Sequence, residues 1–504
     1  MTAWWRAIVV SHRWLGIAGW LVFIMWLATG IVMMYARMPA FSRAERFATL
    51  APLDLSDARL SPSDALRSQR IVDPQRVVVA MLTGRPVYRV LARGISTTVF
   101  ADNGEPLDRL SPDQALDEVR RFAPESAATI RYEARMTEPD QWTLEDGAAL
   151  PLHRVALGDA DDRVFYLAER TGEIVGKTTR RERWLAFAGA VPHWLYFTPL
   201  RRHRGVWAES IIWMSAAGSV MCLLGLAWGV FCGITRPAGA PSAAPARGWQ
   251  RGTRVGVAYR GCMRWHHYAG LTFGMVTFTW FFSGLLSMDP LDWHAGTAPT
   301  PSQRDALSGG PLRLDHVALD DVRRAEKLAA RAALSGGGHD PGRTSLSRTK
   351  EIEIGQFLGE PRLIVDGRAD APIDRDRLLR AARDAVSGSA VTGVAWLDGY
   401  DAYYYDRGHE LPLPVLRVEY ADPRATWLYL DPNRGIILRK EERSSRVNRW
   451  LYHGLHSFDF PFLYDRRPLW DIVVIFFILG GITSAVTSAA PAWRRLRRHA
   501  RRLL

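Results

Sequence analysis

Four histidines occupy matched positions in the two halves of the chain. "HRWLG" begins at His12 and "HHYAG" begins at His266, and seventeen residues after each histidine comes a hydroxyl residue followed by glycine. His193 and His456 begin the segments "HWLYFTPLRRHRGVW" and "HSFDFPFLYDRRPLW", in which each histidine precedes a tryptophan by fourteen residues. The register of both motifs holds without a gap, which predicts an internal repeat.

These positions suit haem chemistry. Histidine is a usual axial ligand of haem iron, and an ionisable group at the end of a membrane helix is costly unless it has a role. The repeat predicts two sites, one with His12 and His266 as ligands and the other with His193 and His456. Two histidines on one iron leave no open coordination position, so such a haem would pass electrons and bind no substrate at the metal.

Other roles for these histidines stay open. Histidines beside Trp and Tyr also serve as interfacial anchors. His203, His267 and His453 break the repeat and are alternative ligands, and only His453 with His456 approaches the spacing of a zinc site. The remaining histidines are expected to be ordinary surface or loop residues: His153, His294, His316, His339 and His409.

The residues around the motifs could enclose a porphyrin in a helix bundle. Aromatic side chains would supply the walls, namely Trp20, Trp26, Phe273 and Phe278. Glycines would let the flat macrocycle approach the backbone, namely Gly16, Gly19, Gly270 and Gly274. The same glycines could instead serve tight helix packing.

Each histidine lies near an apolar segment that must position it. Four uncharged windows of about 20 residues or more can cross a hydrocarbon core of roughly 30 Å. They are residues 15–35, 210–234, 268–288 and 472–491. The first exceeds the h-region of a signal peptide and lacks a small-residue cleavage site, so we expect a retained anchor.

The net charge of +13 is distributed unevenly around these windows. Six arginines and no acid lie between the second and third windows, and the C-terminal "RRLRRHARRLL" repeats the excess. The positive-inside rule makes both segments and the N-terminus cytoplasmic, which predicts a multi-pass protein of a bacterial inner membrane with polar segments in the periplasm. Membrane topology and contact with lipid headgroups thus account for the positive charge, and no nucleic-acid partner is expected.

The polar segments read as small α+β modules. "SPSDALRS" and "SPDQALDEVRRF" have a serine N-cap followed by proline, which predicts helices. "TTVFADNGEP", "VFYLAERTGEIVGKT" and "TWLYLDPNRGIILRK" alternate apolar residues into a turn, which predicts hairpins. The stretch 335–345 is expected to be a flexible loop. Neither segment has a cysteine for a disulfide, and no CxxCH is present for covalent haem attachment.

The predicted fold class is an α-helical membrane protein with four transmembrane helices, two pseudo-symmetric halves and α+β periplasmic domains. The predicted boundaries are 1–36 for the N-terminus and first span, 37–205 for the first periplasmic domain, 206–234 for the second span, 235–265 for a basic cytoplasmic loop, 266–288 for the third span, 289–468 for the second periplasmic domain, 469–491 for the fourth span and 492–504 for a basic tail. Because the halves enter the membrane in the same orientation, their symmetry axis should lie along the membrane normal.

Over nearly its whole length the chain resembles the PepSY-associated transmembrane family, which includes FoxB-type ferric-siderophore reductases. The resemblance rests on "HRWLGIAGW" with "TG", "RWHHYAG" with "SG", "PHWLYF" with "RGVW", and "GLHSFDF" with "RRPLW". It implies PepSY-like periplasmic domains and two b-type haems that His12, His266, His193 and His456 ligate. The exported segments are longer than in a compact member of the family, particularly at 289–350.

The function expected from this resemblance is transfer of electrons across the membrane to a periplasmic acceptor, a ferric siderophore. No nucleotide-binding motif is present, so the electron donor would be a cytoplasmic reductase or membrane quinol. Two alternatives stay open: a cytochrome b that serves another periplasmic acceptor, and a PepSY module that binds and inhibits a periplasmic peptidase.

Overall fold

A computed structural model describes residues 2–145, 147–234, 259–335, 349–369 and 371–503. The chain forms two compact units. The helical unit comprises Met1–Met38, Trp184–His294 and Val447–Leu504, and the β-rich unit comprises Pro39–Arg183 and Ala295–Arg446. His193 and His456 therefore belong to the helical unit, although the sequence boundaries placed them in the polar segments.

Four helices of the helical unit are long and apolar enough to cross a membrane. They are Ala3–Met33, Arg204–Ile234, Cys262–Leu286 and Leu469–Leu503, and we call them the first to fourth long helices. The expectation of four such helices is confirmed. The fourth helix continues through Pro491 into the stretch that was expected to be a separate tail. Residues 235–258 of the expected basic loop lie outside the described residues.

Small residues bring the long helices close together. A Cβ atom at Gly218 of the second helix would lie 2.5 Å from the Phe281 ring of the third. A Cβ atom at Gly481 of the fourth helix would lie 3.2 Å from Leu27 of the first. Contacts through glycine allow the close backbone approach typical of helices in lipid.

Short helices precede the second and fourth long helices and carry His193 and His456. His193 ends the helix Ala190–His193, and His456 lies in Leu455–Ser457 directly after the π-helix Arg449–Gly454. The other short helices of this unit are Thr198–Arg201, Pro461–Tyr464 and the 3₁₀ turn Pro290–Asp292. Arg180–Ala188 and Arg443–Asn448 lie where the chain passes from one unit to the other.

The β-rich unit contains three antiparallel sheets. Its strands are β1 Pro74–Leu82, β2 Arg85–Ala92, β3 Ile95–Phe100, β4 Arg131–Met136, β5 Leu152–Ala156, β6 Val164–Ala168, β7 Ile174–Thr178, β8 Ile352–Phe357, β9 Glu360–Val365, β10 Arg368–Ala369, β11 Val391–Leu397, β12 Val415–Tyr420, β13 Trp427–Asp431 and β14 Ile436–Glu441. One sheet has the order β10-β9-β8-β1-β2-β3, and the other two are β4-β5-β6-β7 and β11-β12-β13-β14. The central pair β1 and β8 joins the two polar segments, which the sequence treated as separate modules.

Two helices of this unit begin where the sequence predicts. Ser61 caps Pro62–Ser68, and Ser111 caps Pro112–Phe122 in a capping box with Gln114. The remaining helices are Arg43–Thr49, Pro301–Ser308, Leu319–Ser335, Arg375–Arg383 and the 3₁₀ turns Pro124–Ser126 and Gly147–Ala149. The predicted hairpins at β6–β7 and β13–β14 are confirmed, and β3 ends in a turn closed by a bridge between Val99 and Pro106.

One histidine departs from its expected place. His153, expected at the surface or in a loop, is 1% exposed on β5. Its Nε2 lies 2.8 Å from the Leu110 carbonyl oxygen, and its Nδ1 lies 3.0 Å from the Tyr132 hydroxyl. Both ring nitrogens are thereby satisfied, which permits burial of the ring. His339 and most of the expected loop at 335–345 lie outside the described residues.

Candidate functional site

The structure brings His12 of the first long helix beside His266 of the third. Their ring centroids lie 6.1 Å apart. His12 Nδ1 is 2.8 Å from the Met221 carbonyl oxygen, and His266 Nδ1 is 2.8 Å from the Ser484 carbonyl oxygen. A carbonyl can only accept, so Nδ1 carries the proton in both rings and each Nε2 presents a lone pair. We call these two residues the carbonyl-bonded pair.

The two carbonyl acceptors occupy matched places in the repeat. Met221 follows Trp207 by fourteen residues, and Ser484 follows Trp470 by the same number. Neither acceptor is identifiable from residue type, because any residue offers a main-chain carbonyl. Each acceptor lies fourteen residues after its tryptophan, so once one acceptor is known from the helix contacts, this spacing identifies the other.

The structure also brings His193 beside His456. Their ring centroids are again 6.1 Å apart, and the ring planes are at 78°. His193 Nδ1 lies 3.0 Å from Thr29 Oγ1, and His456 Nδ1 lies 2.9 Å from Ser283 Oγ. These hydroxyls belong to the "TG" and "SG" motifs, which the sequence analysis identified without assigning them a role. We call His193 and His456 the hydroxyl-bonded pair.

The hydroxyl contacts are compatible with the same protonation in the second pair. Thr29 donates its proton to the Met25 carbonyl at 2.7 Å, and Ser283 donates to the Trp280 carbonyl at 3.1 Å. Each hydroxyl has one proton, and when that proton is donated to the carbonyl the hydroxyl oxygen accepts from Nδ1 of the histidine. This arrangement lets Nδ1 act as the donor in all four rings.

The segments after His193 and His456 are held in the same way. Trp207 Nε1 donates to the Trp194 carbonyl at 2.8 Å, and Trp470 Nε1 donates to the Ser457 carbonyl at 2.9 Å. Each bond ties the residue after the histidine to the long helix that follows. This contact explains why a tryptophan stands fourteen residues after each histidine.

The donor set fits a bis-histidine haem. A metal–imidazole bond is about 2.0–2.1 Å long. An aromatic ring with C–N bonds of about 1.33 Å places its centroid about 1.1 Å from each ring atom. Two imidazoles that bind one metal from opposite sides would therefore hold their centroids about 6.2–6.4 Å apart, which is close to the 6.1 Å found in both pairs. Bonds from Nδ1 to protein acceptors are also the usual support of metal-bound histidine.

Aromatic side chains lie within the helical unit near these pairs. Phe23, Cys222 and Phe281 form a buried cluster, with the Phe23 and Phe281 rings 4.7 Å apart. Trp26 and Phe278, two of the expected walls, pack against this cluster. Trp20 donates instead to the Ala485 carbonyl at 3.0 Å, and Phe273 packs against Phe476 and Phe477.

The alternative ligands lie in other surroundings. His203 is exposed, His267 lies 5.5 Å from the Tyr259 ring, and His453 lies 4.6 Å from the Tyr452 ring. Among the residues that the structure describes, no three His, Cys, Asp or Glu side chains form a metal-binding group. A pair of nitrogens suits haem, whose porphyrin supplies the other ligands.

The arginines near the hydroxyl-bonded pair differ in accessibility. Arg201 is 8% exposed and lies 4.4 Å from the Trp207 ring. Arg467 lies 2.5 Å from Asp471 and 4.7 Å from the Trp470 ring. Arg202, Arg204 and Arg466 are exposed. Arg467 is exposed as well, although it is already paired with Asp471, so an external anion could reach all four exposed side chains.

Comparison of the chain with protein-family models and with curated proteins finds no match.

Proposed function

We propose that this chain is a bacterial inner-membrane protein that binds two b-type haems and passes electrons outward to a ferric siderophore or a similar ferric chelate. The observation that carries the proposal is the presence of two histidine pairs at equal separation, with every Nδ1 held by a protein oxygen. His12 and His266 would hold one haem, and His193 and His456 the other. A haem with two histidine ligands exchanges single electrons and leaves no position for substrate at its iron.

The protein's own residues keep the two sites ready for this exchange. Met221, Ser484, Thr29 and Ser283 would orient the four imidazoles and support the tautomers that carry the proton on Nδ1. Apolar and aromatic side chains of the helical unit would limit contact between the haems and water, which is one of the means by which a protein sets a haem potential. The matched acceptors support two pseudo-symmetric halves that place the sites at opposite ends of the long helices.

The direction of transfer follows from the proposed topology. The arginines at the N-terminus, at 235–265 and at the C-terminus favour a cytoplasmic location for the carbonyl-bonded pair under the positive-inside rule. The β-rich unit, with its PepSY-like segments, is then periplasmic. Electrons would enter from a cytoplasmic reductase or membrane quinol and leave near His193 and His456.

Family resemblance supplies the acceptor. Ferric siderophores hold iron through hard oxygen donors, and one electron converts the ion to the larger, less charged ferrous form, which such ligands hold weakly. The exposed Arg202, Arg204 and Arg466 could attract an anionic chelate. The product of the reaction is a ferrous ion and the free chelator.

Absorption spectra of the purified protein, oxidised and then reduced with dithionite, test the proposal. Two haems per chain are expected, and alanine at His12 or at His193 should remove about half of the haem while the other site persists. The absence of haem from the wild-type protein would contradict the proposal and favour the peptidase-binding alternative. Full haem in all four alanine variants would redirect attention to His203, His267 and His453.

The acceptor is tested separately. The protein is reduced without oxygen and mixed with ferric siderophores and a ferrous-specific chelator. Haem reoxidation with a matching amount of ferrous ion is expected. Haem that stays reduced with every ferric chelate, yet reoxidises with another periplasmic acceptor, would support the general cytochrome alternative.

A further inference from the structure

The two histidine pairs differ in the groups that accept their Nδ1 hydrogen bonds. In the carbonyl-bonded pair both acceptors are main-chain carbonyl oxygens, and both distances are 2.8 Å. In the hydroxyl-bonded pair both acceptors are alcohol oxygens, at 3.0 Å for Thr29 and 2.9 Å for Ser283. Within each pair both members have the same kind of acceptor at these distances, and His193 has in addition a hydrogen bond to the Trp26 main chain.

Acceptor strength changes what an imidazole does to a metal. A ring that donates Nδ1–H to a strong acceptor becomes more basic at Nε2 and binds an oxidised metal more tightly. An amide carbonyl is a stronger hydrogen-bond acceptor than a neutral hydroxyl. Hydrogen bonding around the iron is one of the means by which a protein sets a haem potential.

We infer that these acceptors set a potential difference between the two sites, with the lower reduction potential at His12 and His266 and the higher potential at His193 and His456. The inference rests on the proposed function and adds a driving force to it. With the lower potential at the end where electrons enter, transfer toward the hydroxyl-bonded pair is downhill. Thr29 and Ser283 are then positioning residues that tune the reduction potential at the hydroxyl-bonded pair through His193 and His456.

The hydroxyls also allow a test that isolates this effect. Removing Oγ1 from Thr29 leaves nearby charges, both ligands and the buried volume almost unchanged when valine replaces threonine. His193 Nδ1 then loses its hydroxyl acceptor, so the oxidised state of that site loses stabilisation and its potential should rise. Thr29→Ser keeps the hydroxyl and is the matched control.

The experiment is a spectroscopic redox titration of the full-length haem-loaded protein. His12→Ala and His193→Ala variants, which each retain one site, assign the two potentials. The wild-type protein should show two one-electron transitions, with the higher at the hydroxyl-bonded pair. Thr29→Val and Ser283→Ala should each shift that transition upward and leave the other in place, whereas Thr29→Ser should shift neither.

The outcomes separate this inference from the proposed function. If the wild-type protein binds no haem, the proposed function fails. If it binds two haems but their potentials are equal or in the opposite order, only the inference is overturned. Unchanged potentials in both Thr29→Val and Ser283→Ala would overturn it as well. If Thr29→Val or Ser283→Ala loses the haem at the hydroxyl-bonded pair, the order of the two potentials in the wild-type protein still tests the inference.

Discussion

Gly225 sets how closely His12 can approach its acceptor. A Cβ atom at Gly225 would lie 2.6 Å from His12 Cε1 and 2.9 Å from His12 Nδ1. Any side chain there must push the ring away from the Met221 carbonyl. The hydrogen bond that orients His12, a proposed haem ligand, therefore depends on Gly225, a residue that has no side chain.

Gly225→Ala should weaken haem binding at the carbonyl-bonded pair. Loss of a supporting contact to a metal ligand typically costs roughly 10- to 100-fold in affinity, and haem titration of the purified variant would measure it. The haem proposed at the hydroxyl-bonded pair should be retained. Gly16→Ala is the control, because its Cβ would meet Met221 Sδ at an ordinary 3.6 Å. Equal haem affinity in both variants would contradict the role assigned to Gly225.

His153 gives the β-rich unit a dependence on pH. Burial lowers the pKa of His153, because the charged ring would lose its hydration. The native state then binds fewer protons than the unfolded state, so its stability is fully present above the ordinary histidine pKa of about 6.5 and decreases as pH falls below it.

Acidification from pH 7.5 to 5.5 should therefore reduce resistance of this unit to unfolding, by up to about 1.4 kcal/mol per pH unit for this one group. His153→Gln keeps a donor for the Leu110 carbonyl and an acceptor for the Tyr132 hydroxyl, but it does not titrate. Thermal unfolding of both full-length proteins across this pH range is the measurement. An identical pH dependence in the two would exclude His153 as a source of the acid sensitivity.

At the scale of elements, the pairing of β1 with β8 links the two polar segments. Val78 lies opposite Glu353, and the flanking pairs are Val77 with Ile354 and Val79 with Ile352. Val77, Val79, Ile352 and Ile354 are buried in the core that both halves share. A shift by one residue would turn these apolar side chains to the other face, so the hydrophobic pattern fixes the register.

A cysteine pair can test this register. Directly opposite residues have Cβ atoms about 4.5–5.5 Å apart, close enough for a disulfide after a small adjustment. V78C with E353C, in a background lacking the three native cysteines, should form an intramolecular disulfide on mild oxidation, detected as a cross-linked peptide by mass spectrometry. V78C with I354C is the control, because successive side chains point to opposite faces. Preferential cross-linking of the control would refute the register.

At the scale of the whole molecule, the four long helices and the arginine distribution together predict the topology. With both termini cytoplasmic, two helices run outward and two return, so both polar segments lie on the far side. Each histidine pair would then lie toward one membrane face. Transfer across the membrane requires this arrangement.

Reporter fusions can establish the orientation in cells. Fusions after Arg180 and after Ser445 should report a periplasmic location, and a fusion at Gly248 should report a cytoplasmic one. The physical reason is the cost of moving clustered arginines across the membrane. A cytoplasmic signal from either of the first two fusions would invert or invalidate the proposed direction of electron transfer.

The sequence by itself determined the elements whose signals are local. Apolar length predicted the four long helices, and serine caps and turn residues predicted helices and hairpins, because these depend on residues adjacent in the chain. The repeat also predicted which histidines would pair, since matched spacing is readable from one chain.

Only the tertiary structure decided the contacts between distant residues. The Met221 and Ser484 carbonyls have no sequence signature, Thr29 and Ser283 acquire their roles only beside His193 and His456, and His153 is buried through bonds to Leu110 and Tyr132. The joining of β1 to β8 likewise depends on a shared core. Such choices depend on which surfaces pack together, and packing is a property of the folded chain that local patterns do not encode.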